Sequence, residues 1–173
     1  MNDTAPSPNE HDDPWLTPEQ LRAWVRFVGV VELLPGVLDA QLQRDSGLSH
    51  FEYYVLAMLS EAPERTLRMT GLAARTNATL PRLSHVISRL EKRGLVERRV
   101  CAEDRRAMNA TLTEAGWGAV VEAAPGHART VRASVFAPLS DEQVHQLHVI
   151  SDLVLGQIDP EGRRSSPYAE SPR

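Results

Sequence analysis

The stretch that most constrains this chain runs from Thr79 to Lys92, TLPRLSHVISRLEK. At about 100° per residue, Leu83, Val86, Ile87 and Leu90 fall on one side of a helix. Pro81, Arg82, Ser84, His85, Ser88, Arg89 and Lys92 fall on the other, with Glu91 between the two. An apolar stripe of that kind has to be buried against other elements. Arg93-Gly94 then stops the helix, because glycine takes the left-handed turn that ends one at no steric cost. Leu95 to Cys101 reads as a strand with Leu95, Val96 and Val100 as its apolar members, and Met108 to Leu112 as an antiparallel return. The polar link Ala102–Ala107 suits the tip of a hairpin.

The elements on either side are helical. Thr17-Pro18-Glu19-Gln20 has a Thr cap, Pro at the first position and Gln three residues beyond the cap. Leu21, Trp24, Val25, Val28 and Val31 form the stripe of the helix that follows. Pro35-Gly36 predicts a kink or brief interruption before Val37, Leu38 and Leu42 resume it, and Asp45-Ser46-Gly47 ends it. Ser49 with Glu52 opens a second helix carrying Tyr54, Val55, Met58 and Leu59, which Pro63 ends. Thr66 to Met69 has the character of a short strand, and Thr70 is placed to cap a short helix with Leu72, Ala73 and Ala74 before a turn at Thr76-Asn77. Thr113-Glu114 starts another helix, with a bend or break expected at Pro125-Gly126. Ser140-Asp141-Glu142-Gln143 caps the last, in which Val144, Leu147, Ile150 and Val154 align. The predicted fold is mainly α with a small β-hairpin, and three helices followed by a two-stranded wing make the winged helix-turn-helix, here at residues 48–113. Aromatic residues make up only 5% of the chain, which favours packed helices over a β-sandwich. Residues 1–14 and 159–173 have the composition of disordered tails.

Charge separates the function classes. The chain as a whole carries −4, but Pro63 to Arg106 holds eleven Lys/Arg against five Asp/Glu, a balance of +6 that leaves −10 for the remainder. A basic segment in an acidic chain is the footprint expected for a polyanion, and a solvated helix face is the other reading. The outer face of Thr79–Lys92 contains no acid, whereas a solvated face ordinarily mixes signs for i,i+4 pairing. Arginine there can bond guanine O6 and N7 in the major groove, and Ser or His can reach base edges or phosphates. At the hairpin tip, Glu103-Asp104-Arg105-Arg106 offers an arginine to a minor groove, with Asp104 able to orient it through a charge-assisted hydrogen bond. The bland alternative is a solvated charged turn. A winged-helix protein-interaction module without specific DNA binding also stays open.

Other classes find little support. Ser84 and His85 are sequence neighbours about 100° apart on a helix and make no nucleophile–base pair. No HExxH, phosphate-binding glycine loop or CxxC is present, so neither an enzyme nor a cofactor is expected. The single cysteine, Cys101, excludes an internal disulfide framework and reads as a small strand residue, although Arg98 and Arg99 nearby could lower its pKa. His145 and His148 share a helix face but lack further ligands for zinc. The acidic, Pro-rich start is no signal peptide and no apolar run is long enough to span a membrane, so a cytoplasmic protein is expected.

Taken together, LSHVISRLEKRGLV (Leu83–Val96), CAEDRRA (Cys101–Ala107) and LTEAG (Leu112–Gly116) resemble the MarR family of bacterial regulators over about residues 15–158. The resemblance implies a homodimer joined through helices in 15–47 and 114–158, with recognition helices in successive major grooves of a pseudo-palindromic double-stranded DNA site and wings in the flanking minor grooves. It assigns DNA contacts to Pro81, Arg82, Ser84, His85, Ser88 and Arg89 on the helix, to which the reading of the helix itself adds Thr79 and Lys92, and to Asp104, Arg105 and Arg106 on the wing. Arg106 is then the minor-groove contact, Asp104 its orienting partner and Arg105 a phosphate contact. Repression is the family's usual mode, often released by a small aromatic effector, for which Trp15, Trp24, Phe27, His50, Tyr53 and Tyr54 are the candidate lining residues. Core or interface packing is the plainer role for each of those six.

Overall fold

The computed structural model describes residues 14–101, 104 and 106–162. Most of both expected tails lies outside those residues, as does Arg105, one of the expected wing contacts. The order is α1 (Pro18–Ser46), α2 (His50–Ser60), β1 (Thr66–Arg68), α3 (Met69–Arg75), α4 (Leu80–Lys92), β2 (Val96–Val100), β3 (Met108–Leu112), α5 (Glu114–Val131) and α6 (Asp141–Ile158). The chain divides into two compact units, Met1–Gly36 and Val37–Arg173.

In the first unit the expected cap of α1 forms: the Gln20 N–H donates to Thr17 Oγ1 at 3.2 Å, and the Thr17 N–H donates to Gln20 Oε1 at 2.9 Å. Leu21, Trp24, Val25, Phe27, Val30, Val31 and Leu33 are all exposed in the single chain. The predicted interruption at Pro35-Gly36 does not occur, and α1 continues through it with Pro35 inside. Proline removes one backbone hydrogen bond, and the turns beyond it are held by buried Leu38, Gln41 and Leu42.

In the second unit α2 starts on a complete capping box between Ser49 and Glu52. The predicted hairpin forms and gains a third strand, giving an antiparallel sheet of order β1-β3-β2. β3 sits in the centre, with Leu67 opposite Ala110 and Arg98 opposite the same residue from the other side. Thr66 and Thr111 face each other and their hydroxyls bond at 2.9 Å. Fully buried Leu48, Val55, Leu56, Leu59, Leu72, Leu83, Ile87 and Leu90 belong to one core that the sheet closes with Val96, Ala110 and Leu112.

Two expected boundaries move. α3 begins at Met69, not after Thr70. Arg68 occupies the cap position without a side-chain bond, because buried Met69 anchors the first turn directly at the end of β1. α5 passes through Pro125-Gly126 unbroken, and the change comes later, in a π-helical turn at Arg132–Phe136. Ser140 and Gln143 then cap α6 as predicted. α6 buries no residue within the chain, and Leu147, Val149, Ile150, Leu153, Val154, Leu155 and Ile158 all stand exposed. Among the described residues no helix is long and apolar enough to cross a membrane.

Candidate nucleic-acid interface

α4 is presented by a tight turn after α3. Asn77 adopts φ of 49°, the left-handed region that asparagine tolerates better than most residues. The buried Thr76 hydroxyl donates back to the Leu72 carbonyl at 2.8 Å. Thr79 caps α4 by accepting from the Arg82 N–H, and the proline of the first turn has no N–H to leave unsatisfied. The predicted stripe of Leu83, Val86, Ile87 and Leu90 is buried. Pro81, Arg82, His85, Arg89 and Lys92 stand exposed on the opposite face, with Ser84 and Ser88 half-buried.

That face is not uniformly open to an incoming ligand. The Arg82 guanidinium lies 4.4 Å from the centre of the Phe51 ring. Arg89 donates through Nε at 3.2 Å and Nη2 at 2.7 Å to one carboxylate oxygen of Glu52, which is only 5% exposed. The other carboxylate oxygen accepts from the Ser49 N–H at 2.8 Å and the Ser49 hydroxyl at 3.0 Å. Burial pushes the Glu52 pKa up, but the Ser49 N–H, the Arg89 guanidinium and the Ser49 hydroxyl together hold it below the ordinary value. Both arginines were expected to face DNA, and α2 claims them at least in part. At the far end of α4, Glu91 pairs with the Arg98 guanidinium and accepts from its N–H at 3.1 Å, tying the helix to β2.

In the wing, Cys101 N–H donates to the Ala107 carbonyl at 2.9 Å. The Asp104 carboxylate accepts from the backbone N–H of Arg106 at 3.0 Å. An acidic side chain two residues before an N–H is well placed for this short-range bond. It shapes the turn that carries Arg106, which remains exposed.

Between the N-terminal turn of α4 and the wing lies an open cleft of about 290 Å³. Arg68, Thr70, Ser84, Arg98 and Arg106 supply its polar lining, and Met69, Leu80, Ala107 and Met108 the rest. Of these only Ser84 and Arg106 were expected DNA contacts. Arg68 and Arg98 were visible there as part of the basic segment, but strands this short give no periodicity from which to assign a face.

The effector candidates separate between the two units. Trp15, Trp24 and Phe27 belong to the first, where Trp24 and Phe27 pair at 6.4 Å between ring centres. In the second, His50 and Tyr53 meet His127 of α5, at 6.1 Å and 4.7 Å between ring centres. Tyr54 points elsewhere and donates to the Arg75 carbonyl at 3.3 Å. His127 was missed because nothing local in its sequence marks it. Burial lowers the pKa of His50 against the opposing effect of Asp39, and burial together with the charge of His50 lowers that of His127. Burial also raises Tyr53. Buried Gln41 Oε1 and His127 Nδ1 have no hydrogen-bond partner among the described residues. His148 bonds Asp152 at 3.4 Å, and no three potential metal ligands gather among the described residues.

The MarR family model matches residues 46–107. The chain is 33% identical over 97 residues to the HTH-type transcriptional repressor YetL of Bacillus subtilis (strain 168), a match covering 56% of this chain and 58% of that protein. The match thus spans less than two thirds of that relative's length. The fold of this chain superposes with a TM-score of 0.80 on Sco3205, a MarR family transcriptional regulator from Streptomyces coelicolor solved in complex with DNA, at 42% identity over 84% of this chain and 95% of that one. AbsC, a MarR family transcriptional regulator from the same organism, matches at a TM-score of 0.77 and 36% identity, over 87% of this chain and 99% of its own.

Proposed function

This chain belongs to the MarR family of transcriptional regulators, and on that premise we propose that it is a homodimeric, sequence-specific DNA-binding repressor of the cytoplasm that acts by binding and not by catalysis. The observation that carries the reading is the outer face of α4: it contains no acid and adjoins a wing that exposes Arg106. Such a face suits a major groove, and the wing arginine suits the narrower, more negative minor groove beside it. The solution of Sco3205 with DNA and the naming of YetL as a repressor support the same role. The exposed apolar residues of α1 and α6 are the surfaces a second copy would cover, since a monomer rarely leaves such large patches to water. His50 and Tyr53, with His127, are the residues we assign to a small aromatic effector.

The test is a duplex titration across salt concentrations, with DNA from upstream of the chain's own and neighbouring genes. Specific binding with a steep salt dependence is expected, and no binding at low salt refutes the reading. Arg106→Ala is expected to lose specific affinity while remaining a dimer; a monomeric variant would show that the wing has another role. Truncation after Leu139 removes α6 and is expected to abolish the dimer. A monodisperse, DNA-binding dimer from that truncation would contradict the interface assignment.

A further inference from the structure

The cleft beneath the wing is electrostatically unbalanced, and the geometry points to a seat for one DNA backbone phosphate in which Arg68 is the principal cation. The inference rests on the DNA-binding reading above. Three arginines line the cleft and no carboxylate does. Glu91 neutralises Arg98, but neither the Arg68 nor the Arg106 guanidinium has a carboxylate partner among the described residues, since Asp104 bonds the Arg106 backbone N–H. Two exposed, uncompensated guanidinium groups on one cleft repel each other unless an anion lies between them.

The position of Arg68 is built and not incidental. It ends β1 opposite Asn109 and at the same time holds the cap position of α3, so its backbone is fixed from both sides. Its Nη2 lies 3.6 Å from Cys101 Sγ. A thiol is a weak acceptor, so this contact steers the guanidinium without neutralising it. The hydroxyls of Thr70 and Ser84 add two further donors on the same lining. Leu80 and Met108, both partly exposed, give the cleft an apolar wall.

That mixture matches a sugar–phosphate unit, whose anion takes charged and neutral donors while its deoxyribose packs on carbon. No carboxylate or amide side chain lines the cleft to take the donors of a base edge. Its location agrees: a backbone strand separates the major groove assigned to α4 from the minor groove assigned to the wing, and the cleft lies between those two elements. Arg68 is therefore a positioning contact that sets register without reading sequence.

The experiment compares full-length wild type with Arg68→Met, which keeps an apolar stem and removes the charge, by fluorescence anisotropy on an operator duplex and on an unrelated duplex over a range of KCl. One phosphate contact contributes about 0.9 to the slope of log K against log [salt]. Two copies per dimer should make the variant's slope shallower by about 1.8. Both duplexes should lose affinity by the same factor. A single neutral methylphosphonate at the seated position should weaken wild type but not the variant. Unchanged melting of Arg68→Met establishes that the fold is intact; should that variant unfold, Arg68→Lys, which keeps the charge, must retain the wild-type slope. If wild type binds neither duplex, the DNA-binding reading fails. If wild type binds and Arg68→Met keeps its slope, only the phosphate seat is overturned.

Discussion

Replacing Glu52 with Gln tests how α4 is held. The Glu52 carboxylate closes the α2 capping box through Ser49 and takes two bonds from Arg89, 37 residues along the chain. Glutamine can keep one of these partnerships. Its amide oxygen serves either Ser49 or Arg89, and its NH2 group then faces a donor at the other. Breaking a buried ion pair by removing one partner costs about 3–5 kcal/mol when the survivor stays buried. Here the survivor is Arg89, whose side chain is 49% exposed and can rehydrate, so the expected loss is smaller. One charge-assisted hydrogen bond is worth about 1.5–3 kcal/mol, and we expect the variant to lose about 2 kcal/mol. A chain of this size loses about 2–4 °C of melting temperature per kcal/mol, so the midpoint should fall by about 4–8 °C at fixed protomer concentration. The loss should also depend on pH. A carboxyl whose folded pKa is depressed contributes stability above the ordinary glutamate value of about 4.3 and loses it as pH falls through the lower folded value. The gap between wild type and Glu52→Gln should therefore be full at neutral pH and close in acid. Denaturant unfolding from pH 7 to pH 3, with Arg89→Gln and the double variant completing the cycle, measures all three effects. Additive single losses, or a gap that widens in acid, would refute the coupling.

Two other positions give sharp expectations. A Cβ on Gly116 would lie 2.1 Å from the Leu95 carbonyl oxygen and 2.6 Å from Leu112 Cδ1, so Gly116→Ala should cost at least the upper end of the usual 1–3 kcal/mol for overpacking, about 3 kcal/mol. Gly71 in α3 meets nothing within 4 Å, and Gly71→Ala should instead stabilise by about 0.5–1 kcal/mol; thermal melts of the pair decide whether the close approach of α5 to the β2 entrance is real. The lowered pKa values of His50 and His127 mean that the unfolded chain takes up protons first as pH falls below about 6.5. Stability should drop from pH 7.5 to pH 5.5, and His127→Gln should flatten that drop; an unchanged pH profile in the variant would show that the imidazole pair does not carry it.

What could be read from the sequence was what local spacing determines. Ser49 and Glu52, Ser140 and Gln143, and Thr17 and Gln20 are each three residues apart, and each pair forms its cap. The stripe of α4 follows from the same arithmetic. Proline was misleading where tertiary support outweighed its local cost. Pro35 and Pro125 both lie inside continuous helices, although each lacks an N–H. The cleft residues were hidden for a different reason. Arg68 sits on a strand of three residues, too short for alternation to show, and its role comes from Arg106 and Ser84, which lie far along the chain. Helical periodicity gives the angle of Arg89 about its own axis. It carries no information that Glu52 of another helix waits there.

That distinction changes what the basic face of α4 means. Charge counting treats its cations and those beside it as equivalent, yet they fall into two kinds. Arg82 rests on Phe51, Arg89 grips Glu52, Arg98 is held by Glu91, and Arg93 donates to the Gly47 carbonyl at 3.1 Å. Each of these joins α4 or its flanking turn and strand to another element. The guanidinium groups of Arg68 and Arg106 and the Lys92 ammonium have no such anionic or aromatic partner among the described residues. Arg89 and Arg98 spend much of their charge on fixing the angle of the helix, because a salt bridge already made releases few counterions when a phosphate arrives, whereas Arg82 and Arg93 are tethered to neutral groups and keep theirs. The second kind meets the polyanion with its full charge. On the DNA-binding reading, the salt dependence of binding should therefore track the cations that no carboxylate holds and fall short of the total number of basic residues. Substitutions among the partnered ones should instead appear first as lost stability or lost discrimination between sequences, since a recognition helix held at the wrong angle still attracts DNA but reads it poorly.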